Sequence, residues 1–209
     1  SSGFSHVADG VDAVRKAARE ELRRGAFQVK IMASGGVASP TDPIWNLQYS
    51  LDEMRAIVEE AHGWRTYALA HAYTPEAITR AVRAGVRSIE HGNLIDAETA
   101  ALMAREGAFL VPTLVTYFKI EELGRALGFP AVSQRKVKDV LDAGLASLEI
   151  AKAAGVAIGF GTDLLGETHE HQNQEFAIRA RVLPAAEILR SATLVNATLL
   201  RREGELGVV

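Results

Sequence analysis

The stretch TYALAHAYTPEAITRAVRAGVRSIEHG, residues 66–92, decides the fold. Thr66 to Ala72 is a short apolar run of the kind that forms a buried strand. Thr74-Pro75-Glu76 opens a helix, with proline at the first helical position, where a missing N–H costs nothing. Gly85 stops that helix, and Val86 to Gly92 is a second apolar run. Strand, helix and strand in so short a span make one β/α repeat. His71 lies at the end of the first strand and His91 at the end of the second.

The same reading extends in both directions. Phe27 to Ser34 is a buried strand, preceded by a helix over residues 9–24 that Asp9 caps and Gly25 ends. A long loop from about 35 to 50 follows, carrying Ser39-Pro40-Thr41-Asp42-Pro43; long loops in compact domains are often functional. Ser50 then opens a helix to about His62, with Glu53 completing a capping box. Asp96 to Glu106 reads as a helix, Ala108 to Leu114 as a strand, and 119–154 as helical with a break at Gly128-Phe129-Pro130. Val156 to Asp163 is the last strand. Two helices close the chain, 171–182 and 184–201, the second opened by Pro184. Nearly continuous apolar strands alternating with helices predict an α/β fold with a parallel sheet covered on both faces. An eight-unit barrel usually takes about 250 residues. Five units therefore predict a partial (β/α)8 TIM barrel, strands 4–8 with their helices, as one unit over residues 1–209.

Composition narrows the function. The chain has 209 residues, 48% apolar and 23% charged, with a formal net charge of -3. That is ordinary globular usage, and it gives no reason to expect a nucleic-acid or membrane partner. The absence of cysteine excludes disulfides, thiolate metal sites and cysteine nucleophiles. The longest apolar stretch, AFLVPTLVTYF (108–118), is too short to span a bilayer. No signal peptide is visible, so the expected location is cytoplasmic.

Four residues carry the chemical expectation. Lys30 sits inside the apolar strand FQVKIMAS, where an ammonium is costly unless paired or neutralised. His71 and His91 end successive strands and would stand side by side on the barrel rim. Neutral imidazole is the commonest side-chain metal ligand. Asp163 closes VAIGFGTD, where Gly159 and Gly161 permit close packing and Thr162 could orient the carboxylate; such a group can bind metal and take a proton from water. Tyr73, just after His71, and His171, in His169-Glu170-His171, are candidate substrate contacts. Each residue taken alone has a plainer reading as a strand-end polar group, a cap or rim packing.

The ordered set resembles the amidohydrolase superfamily, in particular its imidazolonepropionase-like and Xaa-Pro or Xaa-Arg dipeptidase branch. The matching text is QVKIMASGGVASP, AHAYTPEAITRAVRAGVRSIEHG, LVPTLVTY, GFGTD with HQNQEF, and PAAEILRSATLVNATLL. The resemblance implies that Lys30 is carboxylated and bridges two divalent ions, expected to be zinc. It implies that His71 and His91 hold the second ion, and that Asp163 holds the first and serves as general base. The implied reaction is hydrolysis of amide or peptide bonds in small substrates, dipeptides or N-acyl amino acids. The family's H-x-H pair of the first strand has no counterpart here. By that resemblance the chain is a fragment that lacks strands 1–3 and most of a β-sandwich domain, and is itself expected to be inactive. Two other readings stand beside it: a metal-free barrel using Lys30 as a Schiff-base amine, and a non-catalytic binding or assembly module whose exposed sheet edge favours association, a homo-oligomer included.

Overall fold

The computed structural model describes residues 5–208. Five strands form one sheet in sequence order: β1 (Val29–Met32), β2 (Ala68–Ala72), β3 (Ser88–His91), β4 (Phe109–Val111) and β5 (Ala157–Ile158). Every neighbouring pair is parallel. Helix α1 (Val11–Arg23) precedes β1; α2 (Leu51–Gly63), α3 (Pro75–Ala84) and α4 (Ala97–Arg105) make the first three crossovers; α5 (Leu114–Leu123) and α6 (Ala131–Ala153) make the fourth. After β5 come α7 (Gln174–Arg179), α8 (Ala185–Arg190) and α9 (Asn196–Leu199). Parallel strands in unbroken order, joined by helices, form part of a β/α barrel wall, as the sequence predicts.

Register separates the two faces of the sheet. Lys30 lies opposite Leu69, His71 opposite Glu90, and Glu90 opposite Val111. Side chains alternate along a strand. Ile31, Ala68, Ala70, Ala72, Ile89 and Leu110 therefore face the helices, and all six belong to the main core with Met54, Ile78 and Met103. Lys30, His71, Ser88 and Glu90 fall on the other face, the barrel lumen. The polar residues inside apolar strands are thus confined to one face.

Local chemistry sets most boundaries. Ser50 and Glu53 form the expected capping box, and Thr74 caps α3 ahead of Pro75. Asp96 caps α4 by accepting from the Thr99 N–H at 2.8 Å. Four expectations shift. The N-cap of α1 is Gly10 rather than Asp9, and its N–H donates to Glu53 at 2.7 Å, tying α1 to the start of α2. The strand expected to reach Leu114 stops at Val111, because Pro112 has no N–H for the ladder; α5 then starts at Leu114, not at 119. The helix expected over 171–182 is a 3₁₀ turn (Gly166–His171) followed by the short α7. The closing helix is broken by a π turn over Ser191–Val195, between α8 and α9. Among the described residues no helix is long and apolar enough to cross a membrane.

A buried ion pair locks the last helices to the sheet. Glu175 and Arg179 are both fully buried and meet at 2.7 Å. The Glu175 carboxylate also accepts from the Val115 N–H in the first turn of α5, and Arg179 donates to the Gly159 carbonyl at the end of β5. Removing one member strands the other charge in the core, which typically costs about 3–5 kcal/mol. Arg179→Met is expected to lower the unfolding free energy by roughly that amount in urea titration. A loss below about 1 kcal/mol would show that the pair does not lock these elements.

Candidate active site

The site is built by unusual backbone at three adjacent strand ends. Alternation puts Glu90 in the lumen and would send His91 to the helix side. His91 instead adopts a left-handed backbone, φ 77°. Its ring packs edge-on against that of His71, with centroids 4.7 Å apart. Thr113, after β4, and Asp163, after β5, are also left-handed, at φ 48° and 50°. Such conformations cost non-glycine residues about 1–3 kcal/mol each and cluster at functional sites. Gly92 continues the turn at φ 61°, where a Cβ would come within 2.5 Å of the Leu110 side chain.

Hydrogen bonds then fix the two imidazoles. His71 Nε2 lies 3.0 Å from the Gly35 carbonyl, which can only accept, so Nε2 carries the proton and Nδ1 keeps a lone pair. His91 Nδ1 lies 2.7 Å from the Thr113 hydroxyl. With Nδ1 donating there, the free nitrogen of His91 is Nε2. Burial, opposed by the Gly35 bond, lowers the His71 pKa to about 4. Burial also holds His91 well below the usual range, helped by repulsion from His71 once that ring is protonated and by the charge of Lys30. Both rings are therefore neutral near pH 7.

The surrounding groups complete a cavity of about 400 Å³ lined by Lys30, His71, Tyr73, His91 and Asp163. Those five expected site residues, remote in sequence, share one space. The carboxyl of Asp163 is raised by burial, against the pull of Lys30. Its backbone carbonyl accepts from the Thr116 hydroxyl. His171 is not among the lining residues; it sits in the 3₁₀ turn, 3.2 Å from Gln174 and 3.6 Å from Glu170. Lys30 is exposed on β1, the first of the five strands.

Sequence reading missed several groups. Tyr117 is buried and its hydroxyl meets that of Tyr73 at 2.9 Å. Glu90, beneath the rim, is pushed up to about 7 by burial, opposed by the Ser88 hydroxyl and Lys30; a carboxylate beside His91 in an apolar strand was the available signal. Lys136 on α6 donates to the carbonyls of Gly36, Ser39 and Asp42 and so fastens the 35–46 loop over the cavity. Nothing in the helical pattern of α6 marks that role.

Among the described residues no three His, Asp or Glu side chains lie close enough to hold a metal by themselves. The donors still fit a divalent ion in kind. Two neutral imidazoles each have one nitrogen engaged by the protein and the other available, as in metal sites where a second hydrogen bond orients the ring. A carboxylate and Lys30 share their cavity.

The chain belongs to the amidohydrolase family, whose model it matches over residues 2–209. Its similarity to particular members is high. A crystal structure of a prolidase complexed with N-methylphosphonate-L-proline is 58% identical, with a TM-score of 0.97 over 99% of this chain and 50% of that one. A Xaa-Pro dipeptidase with bound methionine in its active site is 31% identical, with a TM-score of 0.88 over 98% of this chain and 52% of that one. The ochratoxinase of Aspergillus niger is 35% identical over 193 residues, 92% of this chain and 40% of the relative. The chain thus spans about half or less of the relatives it matches.

The burial of His71 has a measurable consequence. Its ordinary pKa of 6.5 falls to about 4 in the folded chain, so the unfolded chain binds more protons between those values. The stability His71 confers is full above pH 6.5 and is lost as pH falls toward 4. Imidazole ¹⁵N spectra at pH 5.5 are expected to show His71 neutral, with the proton on Nε2. A doubly protonated His71 ring at that pH contradicts this geometry.

Proposed function

We propose that the protein containing this chain is a metal-dependent amidohydrolase that cleaves amide or peptide bonds of small substrates, dipeptides or N-acyl amino acids. One observation carries the reading: Lys30, His71, His91 and Asp163 line a single cavity at the carboxyl ends of the strands, where barrel enzymes keep their active sites. The likeness to a prolidase, a Xaa-Pro dipeptidase and an ochratoxinase supports amide hydrolysis. In this reading the five strands are strands 4–8 of an eight-strand barrel, and residues 1–209 are part of one catalytic unit.

Nδ1 of His71 and Nε2 of His91 would hold one ion. Asp163 would hold the other, and Lys30, carboxylated, would supply the oxygen ligand shared by both. Imidazole and carboxylate donors suit zinc. When bound, such ions make water acidic enough to deprotonate near neutral pH and polarise the scissile carbonyl. Asp163 takes the proton of the attacking water and passes it to the departing amine. Its raised pKa moves it toward the working range of a general base. Tyr73, whose hydroxyl burial keeps protonated, offers a donor to the substrate carbonyl oxygen. The Tyr117 hydroxyl at 2.9 Å fixes where that donor points.

The test is a zinc-loaded full-length gene product screened against dipeptides and N-acyl amino acids. Lys30→Ala is expected to lower zinc content and to cut kcat/KM by at least roughly 100-fold, since even supporting residues of metal sites cost 10–100-fold. Chelation should abolish the activity, and zinc should restore it in the wild type alone. Equal zinc content and turnover in both proteins would remove Lys30 from the site.

A further inference from the structure

Two glycines carry the 35–46 loop across His71. The Gly35 carbonyl lies 3.0 Å from Nε2, and a Cβ on Gly36 would lie 3.8 Å from Nε2 and Cε1 of the same ring. Glycine backbone is the least restricted of all, so the direction of the Gly35 carbonyl has to be imposed from outside. At its base the loop is closed on itself: Ser34 bridges Leu47, and the Gly35 N–H donates to the Asn46 carbonyl at 3.0 Å. Against the barrel it is held by one face of α6, where Ser133, Lys136, Val137 and Val140 recur at helical spacing. Val137 and Val140 pack with Val37 and Ile44 of the loop, a contact that attracts without direction. Direction comes from the two polar side chains. Ser133 donates to the Ala38 carbonyl at 3.2 Å, and Lys136 donates to those of Gly36, Ser39 and Asp42 at 3.1, 2.7 and 2.6 Å. Those three acceptors use every N–H of the ammonium. The first of them is next in the chain to the carbonyl that faces His71.

We infer that Lys136 is a positioning residue: by pinning the Gly36 carbonyl it aims the Gly35 carbonyl at Nε2 of His71, and so sets ion affinity at Nδ1 while touching neither ring nor ion. For the ion this rests on the amidohydrolase reading; for the ring it rests on the loop alone. An imidazole ligand is held in one tautomer and one orientation by the bond its other nitrogen makes, and such partners are worth roughly 10- to 100-fold in metal affinity. Here that partner is a backbone carbonyl between two glycines. Without Lys136 the glycines would have to be ordered by the ion itself, which weakens binding by the entropy of fixing them. His91 is oriented by the Thr113 hydroxyl and not through the loop, so it serves as the internal control.

The experiment uses the full-length gene product with ¹⁵N-labelled histidine, first metal-free and then titrated with zinc. In wild type the His71 Nε2–H is expected to give a signal protected from exchange with water. Lys136→Ala should lose that protection and weaken zinc binding roughly 10- to 100-fold, while the His91 Nδ1–H signal stays. Propylammonium replaces the missing part of the side chain and should restore both properties to Lys136→Ala. Tetramethylammonium, with the same charge and no N–H, should restore neither. Lys136→Gln keeps two donors in the buried seat and serves if the alanine variant does not fold; it should show a smaller loss of the same two properties. A wild type without the protected signal would overturn the assignment. So would a folded variant that keeps either the wild-type His71 signal or the wild-type zinc affinity, a loss at His91 equal to that at His71, or propylammonium acting no better than tetramethylammonium. If wild type itself binds no zinc, the metal-dependent reading fails while the ring signals still judge Lys136.

Discussion

The left-handed backbone at His91 is the constraint on which the mouth of this barrel depends. A parallel strand sends alternate side chains to opposite faces. The register pairs His71 with Glu90, so an extended His91 would point toward the helices, away from His71. Turning His91 to φ 77° brings the two rings to 4.7 Å. The neighbouring strand ends follow the same device: Thr113 turns left-handed to meet the His91 ring, and Asp163 turns left-handed into the cavity. The strain is held by what surrounds it. Gly92 fits where a Cβ would collide with Leu110, and Glu175 accepts from the backbone of Val115 just past Thr113.

A second structure closes the mouth from above. The 35–46 loop lies across the cavity with its carbonyls turned toward Lys136, and Gly35 fits where a Cβ would strike the Pro43 carbonyl at 1.9 Å. The Gly35 carbonyl in turn fixes the proton on His71. The α6 helix therefore reaches His71 through the loop, without touching the ring itself. Rings and loop together settle which imidazole nitrogens are available, and burial keeps both rings neutral.

Much of the scaffold was legible in the sequence. The capping box at Ser50 and Glu53, Pro75 at the start of α3, and Gly85 at its end are local signals, and each lies where its chemistry requires. The five strands could be read because both sheet faces are largely apolar. Boundaries failed where backbone geometry, not composition, decides: at Pro112-Thr113, and in the π turn of Ser191–Val195. The candidate residues were legible as a set, since histidines and an aspartate recur at strand ends. Their approach to one another was not, because positive φ at His91 has no residue signature beyond the glycine that follows. Lys30 kept two readings, facing the lumen or reaching solvent, because its apolar neighbours in the chain do not say whether the lumen face of β1 is covered; it is exposed there. Lys136 and Tyr117 lie on helices and were invisible, since a helical pattern does not say which turn overhangs a cavity.

The central claim is that this strand-end geometry gathers Lys30, His71, His91 and Asp163 around bound cations. The most direct measurement is anomalous scattering at the zinc edge from crystals of the full-length gene product grown with zinc. The account predicts zinc density in contact with Nδ1 of His71 and Nε2 of His91, with continuous density joining Lys30 to it. Zinc density seated elsewhere, or contacting Nε2 of His71 in place of Nδ1, would contradict the account.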